Sequence, residues 1–246
     1  MKKFYWFGDS WVYGDELSTN DQQNNTFAKL ISNHFNAECV NLSIRGSSIN
    51  SITHEFTKNI DKIDPSVDMV FFGLTSNIRT SLFDDTGKLK NILPSGYAAH
   101  KLHPYLNEWY KYFDSSAQRV YNHDCNINLL YLLCKDRGIQ CYFFNIFTIT
   151  DSVKFDYIPL ENWILSKNKC IAEYILPVID IKTLGLVTDD CPEITSDQWN
   201  GQKVYVDQYI RPCYCHPNAQ GHKKIAEELI KCLRYKTKQT YNTDAE

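Results

Sequence analysis

Short, largely apolar runs alternate along this chain with longer segments whose apolar residues recur at helical spacing. Residues 3–8, 38–42, 68–73 and 140–147 are the apolar runs, and each reads as a strand. QCYFFNIF at 140–147 has no polar alternation, as expected of a central strand covered on both faces. Residues 22–36, 48–62, 115–137 and 217–234 read as helices. Ser47 and Ser48 offer caps for the second helix, Gly138 ends the third, and Pro217 stands in the first turn of the fourth. Strand–helix alternation of this kind predicts an α/β protein with a parallel sheet. A further strand is expected within 176–181 or 203–206, and the polar tail 235–246 is expected to fray.

Residues 78–114 interrupt the alternation between the third strand and the long helix. This insertion is rich in aromatic and imidazole side chains, among them Tyr97, His100, His103, Tyr105, Trp109 and Tyr110. Following a strand, it is expected to overhang the carboxyl edge of the sheet, and a connection of that length is usually functional. No repeat or linker divides the chain, so one domain over 1–246 is expected.

Charge narrows the partners. Lys and Arg number 26 against 29 Asp and Glu, a net charge of −3, which leaves no basic field for nucleic acid or an anionic membrane surface. No apolar run approaches the roughly 18 residues of a membrane helix. Asp9 ends the first apolar run too early for a secretory signal core, so a cytoplasmic location is expected. The nine cysteines are odd in number and lie mostly in apolar stretches, which suits reduced, buried thiols. Cys213-x-Cys215-His216 resembles half a zinc site, but only Cys191 and His222 are available to complete it, and His222 is expected to face solvent from the last helix. No metal and no cofactor are expected. The oligomeric state is left open.

Candidate chemistry collects at strand ends. Gly8-Asp9-Ser10 follows the first strand, Ser43-Ile44-Arg45-Gly46-Ser47 the second, and Gly73-Leu74-Thr75-Ser76-Asn77 the third. His216 precedes the last helix. Parallel sheets bind ligands at the carboxyl ends of their strands. A serine there becomes nucleophilic when a base takes its proton, and neutral histidine suits that task. The developing oxyanion needs aimed donors, and Gly46 permits close backbone approach. The elbow Gly-x-Ser-x-Gly of the α/β-hydrolases is absent from the chain.

In these residues, and in their order over almost the whole chain, the sequence resembles the SGNH (GDSL) hydrolase family. Gly8-Asp9-Ser10 matches its first block, Gly46 its second, Gly73 the start of its third, and His216-Pro217 its fourth. The resemblance implies a flavodoxin-like three-layer α/β/α sandwich with a five-stranded parallel sheet. It also implies a serine esterase acting on a small acyl ester, for which a carbohydrate O-acetyl group is a candidate. Ser10 would be the nucleophile and His216 the base, with Asp9 beside the nucleophile. The backbone N–H groups of Ser10 and Gly46 would hold the oxyanion, together with Thr75 or Asn77. Trp11, Tyr97, His103 and Trp109 would contact substrate. Thr75 stands where the family has asparagine, and Cys213 where it has aspartate. A backbone carbonyl or Asp207 is then a candidate to orient His216. These departures motivate a second reading, a catalytically weak or inactive binding module for a glycan or protein. Transfer of the acyl group to an acceptor is a third.

Overall fold

The computed structural model describes residues 1–15, 17–77, 79–83, 86–92, 116–147, 158–166, 169–174 and 216–243. Strands β1 (Lys3–Phe7), β2 (Glu38–Asn41), β3 (Met69–Leu74) and β6 (Gln140–Asn145) form a parallel sheet in the order β2-β1-β3-β6. Its helices are α1 (Ser10–Tyr13), α2 (Thr19–Asn24), α3 (Phe27–His34), α4 (Ile49–Asn59), α5 (Ser116–Asp136) and α6 (Ala219–Thr243). The α/β architecture is as expected. Four strands of the expected five are present among the described residues. Both candidate segments for the fifth lie outside them, while Trp163 and Cys170 make isolated parallel bridges to Phe143 and Asn145 on the free side of β6.

Alternation along each strand divides the core into two clusters, one per face. Phe4 and Trp6 of β1, Phe71 of β3, and Tyr142 and Phe144 of β6 pack with Phe27 and Ile31 of α3 and Ile225 and Leu229 of α6. Tyr5 and Phe7, Val70 and Phe72, and Cys141 and Phe143 pack with Ile52 and Phe56 of α4 and Ile127 and Leu130 of α5. Register pairs Trp6 with Phe71 and Phe71 with Tyr142, so three rings stack along one face at centroid distances of 4.2 and 5.6 Å. Phe7, Phe72 and Phe143 repeat the arrangement on the other face at 5.6 and 5.1 Å. Offset aromatic pairs of this kind add about 0.5–1.5 kcal/mol beyond the area they bury.

Three elements differ from the sequence expectation. The single helix expected over 22–36 is two, α2 and α3. Thr26 breaks it by turning extended and accepting the Lys29 N–H as the N-cap of α3. The insertion begins with an antiparallel hairpin of β4 (Thr80–Phe83) and β5 (Leu89–Ile92). Buried hydroxyls dock it: Ser81 Oγ meets Ser48 Oγ at 2.5 Å and Ser51 Oγ at 2.7 Å, and Asn91 Oδ1 accepts from both Ser81 and Ser51. The last helix runs on to Thr243, through residues expected to fray. No helix among the described residues is long and apolar enough to cross a membrane.

Candidate active site

Strand order places the site. The chain leaves β1 for β2 on one side, and β3 lies on the other. The crevice between the carboxyl ends of β1 and β3 is therefore the switch point of the sheet. Gly8 ends β1 there. A Cβ on Gly8 would run into Val12 Cγ2, and one on Gly73 would lie 2.7 Å from the same atom. Two facing glycines thus let α1 settle directly on the sheet, with Ser10 as its first residue. Ser10 is 5 % exposed, and its hydroxyl makes no hydrogen bond among the described residues.

Asp9 organises the turn before Ser10. Its carboxylate is fully buried and accepts from three directions. Oδ1 takes the Trp11 N–H at 2.9 Å, capping α1, while Oδ2 takes the Thr75 hydroxyl at 3.1 Å and the Arg79 guanidinium at 2.7 Å. Burying a carboxylate is costly unless it is paired and hydrogen-bonded, and here it is both. Thr75 is held at its other end too, because the buried His123 of α5 donates Nε2–H to its carbonyl at 3.0 Å. The Thr75 hydroxyl is thus committed to Asp9. Asn77, two residues on, is 6 % exposed, and its amide makes no side-chain hydrogen bond among the described residues.

The loop after β2 closes the other side. Gly8 carbonyl accepts from Ile44 N–H at 3.1 Å and from Ser47 Oγ at 2.8 Å. Asn41 Nδ2 donates to Val12 carbonyl at 2.8 Å, and Arg45 pairs with Asp15 at 2.8 Å. Between these anchors Gly46 takes φ +65°, and a Cβ there would meet nothing within 4 Å. The requirement at Gly46 is therefore conformational, and its backbone is left open.

His216 comes to the same edge through α6. Helix α3 connects β1 to β2, so its first turn starts at the carboxyl edge of the sheet. His222, near the start of α6, accepts the Phe27 N–H on Nδ1 at 3.2 Å and stacks on the Phe27 ring at 5.5 Å. His216 lies six residues before His222, half-buried, and just ahead of Asn218, whose Oδ1 caps α6 through the Gly221 N–H at 2.9 Å. The Ser10 hydroxyl and the His216 ring are not hydrogen-bonded to each other in this structure.

Some sequence expectations change. His222, expected to face solvent, is fully buried. Trp11, expected at the substrate, is 2 % exposed, its ring packed edge-on against Phe147 at 5.0 Å, so it belongs to the core beneath the serine. Tyr97, His100, His103, Trp109, Asp207, Cys191, Cys213 and Cys215 lie outside the described residues. Arg79 and His123 are the members that sequence reasoning missed. Arg79 had one available signal, its place just past the third motif. His123 had none, being one polar residue in a long helical segment.

Burial pushes His123 down to about 4, against the pull of its bond to Thr75, and burial with the neighbouring His216 pushes His222 down to about 3. Both rings stay neutral in the folded chain, whereas an unfolded chain protonates them below its ordinary value of 6.5. Stability is therefore full above about pH 6.5 and falls as the pH drops toward the folded values. Urea denaturation at pH 7 and pH 5 should differ by about 2 kcal/mol for each of these histidines. A flat profile over that interval would show that the rings are not held neutral.

No family model and no curated protein sequence matches this chain. Solved structures do. One is a member of the lipolytic protein G-D-S-L family from Veillonella parvula, with 11 % identity over 94 % of this chain and 97 % of that one and a TM-score of 0.43. The likeness extends to esterases. A psychrotrophic esterase from Pseudoalteromonas sp., inhibited by monoethylphosphonate, has 12 % identity over 95 % of this chain and 97 % of its own at a TM-score of 0.45. A two-domain esterase active on acetylated mannans has 11 % identity over 96 % of this chain and 50 % of its own at 0.43.

Proposed function

We propose that this chain is a serine ester hydrolase that cleaves a small acyl ester through a covalent acyl-enzyme. The observation that carries the reading is the convergence on Ser10. The loops that follow β2 and β3 are hydrogen-bonded to Gly8 and Asp9 of the loop that follows β1, around a serine hydroxyl that makes no hydrogen bond among the described residues. A buried serine that merely satisfied the fold would bond to the backbone, as Ser32 does to the Ala28 carbonyl at 2.8 Å.

In this mechanism Ser10 Oγ attacks the ester carbonyl and His216 takes its proton. The tetrahedral oxyanion is met by the Ser10 and Gly46 N–H groups and by the Asn77 amide. Asn77 is favoured over Thr75 because the Thr75 hydroxyl is bound to Asp9. His216 then returns the proton to the departing alcohol, water enters, and the same histidine activates it to release the acid. An O-acetyl group on a carbohydrate is the substrate to test first, since the sequence of the insertion carries Tyr97, His103 and Trp109, ring side chains of the kind that stack on sugars.

Wild-type protein should hydrolyse p-nitrophenyl acetate with saturation and release acetate from an acetylated oligosaccharide. Binding of the oligosaccharide without release of acetate, and no turnover of the nitrophenyl ester, would contradict this reading and favour a binding module.

A further inference from the structure

Arg79 is the group around Ser10 whose placement exceeds what the fold asks of it. Its side chain is 17 % exposed, and its guanidinium uses one of five N–H donors, NH1 to Asp9 Oδ2, among the described residues. Its Cζ lies 5.7 Å from the centre of the Phe147 ring, which in turn packs on Trp11. Asp9 and Trp11 are the two residues flanking Ser10, so one directly and one through Phe147 they fix the same guanidinium. A side chain needed only to neutralise Asp9 would require neither the aromatic platform nor a planar fork. The fork is anchored at one end on Asp9, the residue before the nucleophile, and its remaining donors make no hydrogen bond among the described residues.

We propose that Arg79 is a further catalytic residue, whose N–H donors not engaged by Asp9 bind the oxyanion that forms when Ser10 attacks. The proposal rests on the serine-hydrolase reading. Thr75 has its hydroxyl on Asp9, and Arg79, four residues on in the same loop, adds a charged donor to the neutral amide of Asn77. No charge is created or lost: the carbonyl π electrons move to oxygen as the Ser10 Oγ–C bond forms, the serine proton goes to His216, and Arg79 stays protonated throughout. A preorganised cationic donor is worth most where negative charge develops, so its effect belongs in kcat.

The test compares wild type, Arg79→Lys, Arg79→Met and the uncharged pair Asp9→Asn/Arg79→Met on p-nitrophenyl acetate, with thermal melts on each. Arg79→Met should lose about 100-fold or more in kcat while KM stays within about threefold. Arg79→Lys keeps the ion pair but not the fork and should lose at least about tenfold. The double variant leaves no buried charge unpaired, so it should fold and remain as slow as Arg79→Met. Recovery of the double variant to near wild-type kcat would overturn the proposal, because Arg79 would then act only by neutralising Asp9. An Arg79→Met protein with unchanged kcat would overturn it as well. If wild type itself shows neither turnover nor phosphonate labelling of Ser10, the hydrolase reading fails and the proposal fails with it.

Discussion

Ser10→Ala and His216→Ala should each lower kcat/KM on p-nitrophenyl acetate by about 10⁴-fold or more, and the double variant should be no slower than either single one. The non-additivity follows from the chemistry. Without the serine there is nothing for the histidine to deprotonate. Without the histidine, the serine hydroxyl attacks with its proton still on. Ser10→Ala should leave the melting temperature nearly unchanged, because the Ser10 hydroxyl makes no hydrogen bond among the described residues. Losses that multiply in the double variant would mean that the two residues act in separate steps or sites.

Asp9→Ala should destabilise the fold by about 3–5 kcal/mol, the range for stripping a buried charge of its partner. Three bonds go at once: the cap on Trp11 N–H, the Thr75 hydroxyl and the Arg79 ion pair. The cap alone accounts for about 1 kcal/mol, as for N-cap residues generally. The larger part comes from Arg79, left cationic and mostly buried. Asp9→Asn keeps a cap acceptor and so should lose less than Asp9→Ala. Urea denaturation gives both values. A loss under about 1 kcal/mol for Asp9→Ala would show that water or another anion takes over the guanidinium.

Much of this site was legible in the sequence, for a physical reason. Strands β1, β3 and β6 are buried on both faces and so announce themselves as mostly apolar runs, β2 is shorter and more exposed, and the residues following each run then lie at the carboxyl edge. Ser10, Gly46 and Asn77 follow from that rule. Thr26 was missed because a threonine inside a helical apolar pattern looks the same whether it caps or continues. The hairpin over Thr80–Ile92 left a trace, since Asp85-Thr86-Gly87 is a turn sequence and Gly87 has φ +75°. The Asp9–Arg79 pair spans 70 positions and had no local pattern to reveal it. His222 was misread because a histidine on the second turn of a polar-looking helix start resembles a surface residue. Only the packing of α6 on Phe27 shows that it faces inward.

The central claim is that Ser10 is a nucleophile, and a fluorophosphonate probe tests it most directly. Native protein is incubated with the probe, digested, and the modified peptide is located by mass spectrometry. The account predicts one adduct per chain, on Ser10, absent from Ser10→Ala and strongly slowed in His216→Ala. Equal labelling of wild type and Ser10→Ala, or an adduct mapped to another residue, would contradict it.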